Sequence, residues 1–187
     1  MKNYYLYTLA LLLSVSCSKA IPPVDSALDG QILHIGNGSE PQGLDPHIVT
    51  GVPEHHLLIA MCEGLVIANP NGGENLPGVA KSWTISPDGK TYTFFFQENA
   101  RWSNGDMLTA SDFVWSWKRI LTPSLGSQYP DMLYYVKGAP EFHQGLTGDF
   151  SSVGVTAVND TELRVELTHA TPFFIKLLSH YSTYPVH

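Results

Sequence analysis

Aromatic side chains recur at every second position in Tyr92, Phe94 and Phe96, with Thr91, Thr93 and Phe95 between them. That period of two places the first three on one face of a half-buried strand and the others on the opposite face. The preceding Ser86-Pro87-Asp88-Gly89 reads as a turn, because proline presets one turn dihedral and glycine accepts a positive one. The pattern therefore predicts a hairpin pairing residues 83–85 with 91–97. After a polar turn at 101–106, Thr109 stands three residues before Asp112, a spacing that caps a helix start. Ala110, Phe113, Val114, Trp117 and Leu121 then fall on one helical face, and Pro123 ends the run.

The same alternation returns at Val153, Val155 and Ala157 and at Leu163, Val165 and Leu167, around an Asn159-Asp160 turn. This predicts a second hairpin. Thr171-Pro172 should open a helix that turns Phe173, Phe174, Leu177 and Leu178 inward. Upstream, residues 32–36 read as a short strand. Pro53 opens a helix with Leu57, Leu58, Met61, Cys62 and Leu65 on one side, and Gly64 suits its C-terminal end. Residues 69–73 are a turn-rich connector, and 125–148 carry no sustained period. Strands and helices interleave, so the fold class expected is mixed α/β.

Composition agrees with a packed chain. Of 187 residues, 43% are hydrophobic, 14% charged and 11% aromatic. The formal net charge of −7, with basic residues scattered, excludes a partner held by phosphate neutralisation, so no nucleic-acid role is expected. The N-terminus has the layout of a secretory signal: Lys2, an apolar run over 4–15, then Ser16 and Cys17. Leu13-Ser14-Val15-Ser16-Cys17 resembles a bacterial lipoprotein signal, in which the cysteine carries the lipid and becomes the mature N-terminus. The usual leucine three residues before the cysteine is here Ser14, so an ordinary cleaved signal with an incidental cysteine stays open. Residues 18–30, with Pro22-Pro23, then form a tether. Cys62, set among Leu58, Ile59, Met61 and Leu65, is expected to be a buried, inert thiol.

The central stretch from Trp83 to Leu121 carries a resemblance. Its order, W…S.DG..YTF…..A.WS.GD.LTA.DFV.SW.R.L, resembles the signature of the bacterial extracellular solute-binding proteins of family 5, the peptide class of ABC-importer receptors. Asn37-Gly38-Ser39-Glu40-Pro41, Leu44-Asp45-Pro46-His47, Gly51-Val52-Pro53-Glu54 and Leu76-Pro77-Gly78-Val79-Ala80 resemble its oligopeptide-binding branch in the same order. The resemblance implies a periplasmic binding protein fold of type II. Residues 31–62 would open ligand-binding lobe I and 63–187 would form the accessory domain. It also implies that relatives continue beyond the counterpart of His187, so the chain is expected to be an N-terminal portion, with the remaining lobes absent. The implied function is capture of oligopeptides, extended between two lobes, for delivery to a permease and ATPase complex. The implied location is periplasmic or cell-envelope, as a monomer. Thr50, Gly51 and Val52 match the part that lines the cleft, with Val52 offering backbone groups, and Tyr129 matches an aromatic position that reaches it. At Thr50 relatives often carry glutamate, so a carboxylate is lost here.

No catalytic constellation is evident, and the chain is not expected to be an enzyme. The 36–41 stretch lacks the third glycine of a dinucleotide loop, and no serine sits in a nucleophile elbow. Asp106 and Asp112 fall at turn and cap positions. His55 and His56 would point about 100° apart on a helix, without a partner four residues away, so neither a metal site nor a cofactor is expected. Two rivals stay open: a receptor for dipeptides, cell-wall peptides or nickel, and a truncated lipoprotein serving as an interaction module.

Overall fold

A computed structural model describes Ala27 and residues 30–187. The signal, Cys17 and most of the tether lie outside the described residues. Residues Ser39–His187 form one compact unit, and the described residues before Ser39 belong to another. Within the smaller unit, residues 32–36 belong to no strand, and Ile32, Leu33 and Ile35 are exposed. The strand expected there does not form among the described residues. An apolar stretch becomes a strand only when a neighbour takes up its amide groups.

The larger unit is built on a four-stranded antiparallel sheet. β1 (Val66–Ile67) and β2 (Leu76–Pro77) pair separately, while β3 (Ala80–Ile85), β4 (Thr91–Phe96), β5 (Val155–Asn159) and β6 (Glu162–Glu166) form the sheet in the order β3-β4-β6-β5. Both expected hairpins are present, joined at the centre by β4 against β6, where Phe94 lies opposite Leu163 and Tyr92 opposite Val165. Tyr92, Phe94 and Phe96 are all buried, and Thr91, Thr93 and Phe95 are half-buried. The alternation in sequence thus maps onto the two faces of the strand. Gly89 holds the β3–β4 turn at φ +69, in the left-handed region.

Helix α2 (Ala110–Leu121) lies over this sheet and closes the core. Its start is fixed as the sequence predicts. The Thr109 backbone N–H donates to Asp112 Oδ2 at 2.7 Å and the Thr109 hydroxyl to the same oxygen at 2.9 Å. Lys118 and Arg119 lie in its last turn, where positive charge is favoured. Phe113 is fully buried, its ring edge-on to Phe96 with centroids 5.3 Å apart. The buried face also includes Ser116 and Ile120, while Val114 is only half-buried. The helix therefore presents the stripe centred on Phe113, Trp117 and Ile120, turned slightly from the expected one.

Helix α1 (Val52–Met61) opens at Pro53 as expected but stops short of Gly64. It buries only Glu54 and Leu58, one turn apart, while Ile59, Met61 and Cys62 are exposed. Cys62 is thus not the buried core thiol expected from its apolar neighbours. Leu65 is buried, but as the residue before β1, its carbonyl accepting from the N–H groups of Gly78 and Ala80. Gly64 serves close packing rather than a helix end: a Cβ there would lie 2.5 Å from the Tyr184 ring. After α2 the irregular stretch contains short helical turns, including α3 (Ala139–His143). Helix α4 (Phe174–Leu177) is a single turn. Phe174 and Leu178 point inward, but Phe173 is exposed and Leu177 half-buried, so only the i, i+4 pair reaches the core.

Candidate functional site

The loop that leads into α1 is held in place by a small polar cluster. Arg119 of α2 reaches Asp45 with two parallel bonds, Nη1 to Oδ1 at 2.9 Å and Nη2 to Oδ2 at 2.5 Å. Its Nη1 also donates to His47 Nδ1 at 2.9 Å, and His47 Nε2 donates to the Tyr184 carbonyl at 3.0 Å. The guanidinium bonds hold the Asp45 carboxyl below its usual range, and burial pushes the His47 imidazole down. The Asp45 carbonyl then accepts from the N–H groups of Ile48 and Val49, each at 3.1 Å. Tyr181 donates its hydroxyl to the Val49 carbonyl at 2.8 Å. These bonds lead the chain outward, so that Thr50 and Val52 are exposed.

Gly51 sits between them in extended backbone, φ −80. It is required by a close approach: a Cβ would fall 1.8 Å from Glu54 Oε2. Glu54 is 4% exposed and accepts the Gln42 N–H through Oε1 at 2.6 Å, so its carboxylate has little room to retreat. This glutamate ties the loop's two ends together. Sequence reading gave it no role, since its position in the first turn of a helix says only that a carboxylate is welcome there.

Tyr129 arrives from the irregular stretch after α2 and places its hydroxyl 3.5 Å from the Thr50 carbonyl. Its ring is edge-on to His180 at 5.0 Å and to Tyr181 at 6.2 Å. His180 and Tyr181 stack at 4.4 Å, and His55 of α1 lies 5.5 Å from Tyr181. Burial lowers the His180 pKa and, with Tyr129 alongside, raises that of Tyr181 to about 12. Loop, helix start and aromatic cluster thus form one partly exposed surface. It offers exposed chain at Thr50 and Val52 beside aromatic edges. Thr50, Gly51, Val52 and Tyr129, singled out in sequence, come together here. His180, Tyr181 and His55 join them without any prior signal, because no sequence period links α1 to the chain's end.

His55 does acquire histidine neighbours, His56 at 6.0 Å and His180 at 6.3 Å between ring centroids. Among the described residues no group of three or more His, Cys, Asp or Glu side chains gathers as a metal cage would require. A separate open groove of about 960 Å³ is lined by Ile59, Met61, Cys62, Glu63, Trp102 and Val186, among others; Leu44 and Pro46 of the loop reach it, but Thr50, Gly51, Val52 and Tyr129 do not.

Residues 75–187 match the family described as bacterial extracellular solute-binding proteins, family 5, middle region. The chain is 38% identical over 181 residues to the periplasmic oligopeptide-binding protein OppA of Haemophilus influenzae, covering 95% of this chain and 33% of that one. It is 40% identical over 154 residues to the oligopeptide-binding protein OppA of Bacillus subtilis, covering 82% and 28%. The crystal structure of Haemophilus influenzae OppA in complex with RPPGFSPFR superposes with a TM-score of 0.76 at 38% identity, over 81% of this chain and 29% of that one. The chain spans about a third of the length of these relatives.

Proposed function

Because the chain belongs to the bacterial extracellular solute-binding proteins of family 5, we propose that it serves in the substrate-binding subunit of an ABC importer, capturing oligopeptides in an extended conformation. The role is binding, without catalysis. Residues 31–62 belong to the opening of one lobe and 63–187 to an accessory domain, and together they supply one side of a cleft. The observation that carries this reading is the meeting of the Thr50 carbonyl with the Tyr129 hydroxyl from 79 positions apart, beside an exposed Val52. An extended peptide is recognised by amide groups common to every sequence, which gives affinity with little selectivity. The segment Thr50 to Val52, exposed at both ends and half-buried at Gly51, suits that chemistry, and the Tyr129 ring gives an apolar side chain something to lie against.

Further steps of the reading are its setting and its partners. Peptide is handed to a membrane permease and its ATPase from the periplasm or cell envelope. Cys17 carries the lipid that anchors the subunit. Among the described residues no helix is long and apolar enough to cross a membrane. The test grafts residues 33–187 onto the Haemophilus influenzae relative in place of the matching portion. Native mass spectrometry then identifies what co-purifies. The reading expects a heterogeneous set of short peptides; a single dipeptide, a cell-wall peptide, nickel or an empty folded protein would overturn it.

A further inference from the structure

His47 is 1% exposed, and its two contacts leave it a single protonation state. Arg119 Nη1 can only donate, so the His47 Nδ1 that it meets at 2.9 Å carries no hydrogen. The Tyr184 carbonyl can only accept, so Nε2, at 3.0 Å, carries the ring's one hydrogen. A second proton has only Nδ1 to bind, where it would point at a guanidinium N–H. The charged groups acting on the ring are Arg119 from α2 and Asp45 from its own loop. From the C-terminal turn Tyr184 presents its carbonyl, while its phenol donates to the Ser179 carbonyl and stays neutral, its pKa raised to about 12 by burial.

From this geometry we infer that His47 is a proton-operated latch on the loop bearing Thr50, Gly51 and Val52. A proton from solvent taken up at Nδ1 ends the bond from Arg119 and sets two cations against each other. Asp45 is already engaged by both guanidinium nitrogens and compensates only in part. The strain is relieved by withdrawing the ring toward water, where its pKa returns to the ordinary 6.5. The turn in which the Asp45 carbonyl holds Ile48 and Val49 moves with it, and Thr50 follows within a single residue. Acidification would thereby loosen the peptide-contacting loop while leaving the sheet intact. This inference rests on the reading of Thr50, Gly51 and Val52 as ligand contacts, and it names a regulation of that same site.

The test is hydrogen–deuterium exchange on the 187-residue chain without peptide, corrected for intrinsic rates, at about pH 7.5 and about pH 5.5, either side of an ordinary histidine pKa. Protection of residues 43–51 should fall, by up to about tenfold per pH unit below the ordinary value, while β4 stays protected. His47→Gln, which stays neutral throughout, should abolish that pH response, and His169→Gln, an exposed histidine outside the loop's contacts, should leave it in place. An unresponsive loop in the unaltered protein, or a full response in His47→Gln, overturns the latch. Should His47→Gln fail to fold, nitrogen NMR of the unaltered protein decides. The ring must be the Nε2–H tautomer at neutral pH, and it must ionise together with the loop's amide shifts; ionisation without those shifts overturns it. The latch is read with no peptide present, so it can fail while the peptide-binding reading stands, and the reverse.

Discussion

Gly138 is the residue whose replacement the structure forbids most plainly. Its φ is +73, and an added Cβ would lie 2.6 Å from the Ser152 carbonyl oxygen, a backbone atom in a neighbouring turn. Gly105 has φ +95 but nothing within 4 Å of its missing Cβ. Gly138→Ala should therefore cost about 3 kcal/mol in urea melts, from backbone strain plus collision, and Gly105→Ala about 1 kcal/mol from strain alone. Equal losses would show that the Ser152 contact yields. Neither difference is legible in sequence, where each position is simply a glycine between two elements. The four residues of the candidate ligand surface were legible only through motif order. Glu54, His180 and Tyr181 were not, because burial of a carboxylate and the meeting of distant rings are tertiary facts. Cys62 shows the converse error: apolar neighbours in sequence place a thiol in the core only if the helix turns that face inward.

At the scale of elements, the two hairpins and α2 were readable because each carries its own period, turn and cap. Phe113 is the test of that reading. Fully buried and edge-on to Phe96, it should cost about 3 to 5 kcal/mol when replaced by alanine. Trp115, 52% exposed on the same helix, should cost less than about 0.5 kcal/mol. A loss below about 1 kcal/mol for Phe113→Ala would mean that the helix does not pack through this face. The elements that were misread lack such local closure. Residues 32–36 have the composition of a strand but no partner strand among the described residues. Helix α1 is apolar on more than one side, so its pattern could not say that only Glu54 and Leu58 would be covered. Helix α4 shrinks to one turn because the stretch after it folds back over the core through Tyr181 and Tyr184 rather than continuing the helix.

For the whole molecule, the Asp45–Arg119–His47 cluster joins the loop before α1 to α2 and to the chain's last turn, so its titration should appear in global stability. The His47 pKa is lowered by folding. Its contribution is therefore full above the ordinary value of 6.5 and is lost as pH falls from there toward the folded value. Asp45 is also lowered, so its contribution is complete above 3.8 and disappears as pH falls below that. His180 adds to the first loss, its pKa being lowered as well. Urea midpoints should thus fall in two stages on acidification, the first near neutrality and the second in the carboxylate range. A midpoint constant from about pH 7 to about pH 5 would contradict the buried neutral His47.

In the function proposed here, the main chain around Val52 meets a peptide's main chain on one side of a cleft. If so, bonds that a peptide makes to that one side are exchanged for bonds to water with little net gain. Calorimetry with tripeptides to pentapeptides should therefore show no binding by the chain alone up to about 1 mM. The same residues grafted into the full-length relative should bind at about 1 μM or tighter. Val52→Pro in that graft is the most direct measurement. Proline at the first helical position keeps the start of α1 but removes the N–H that a peptide carbonyl would use. Affinity should fall about tenfold, roughly 1.4 kcal/mol, with an unchanged melting profile. Undiminished binding by folded Val52→Pro would contradict the proposed contact.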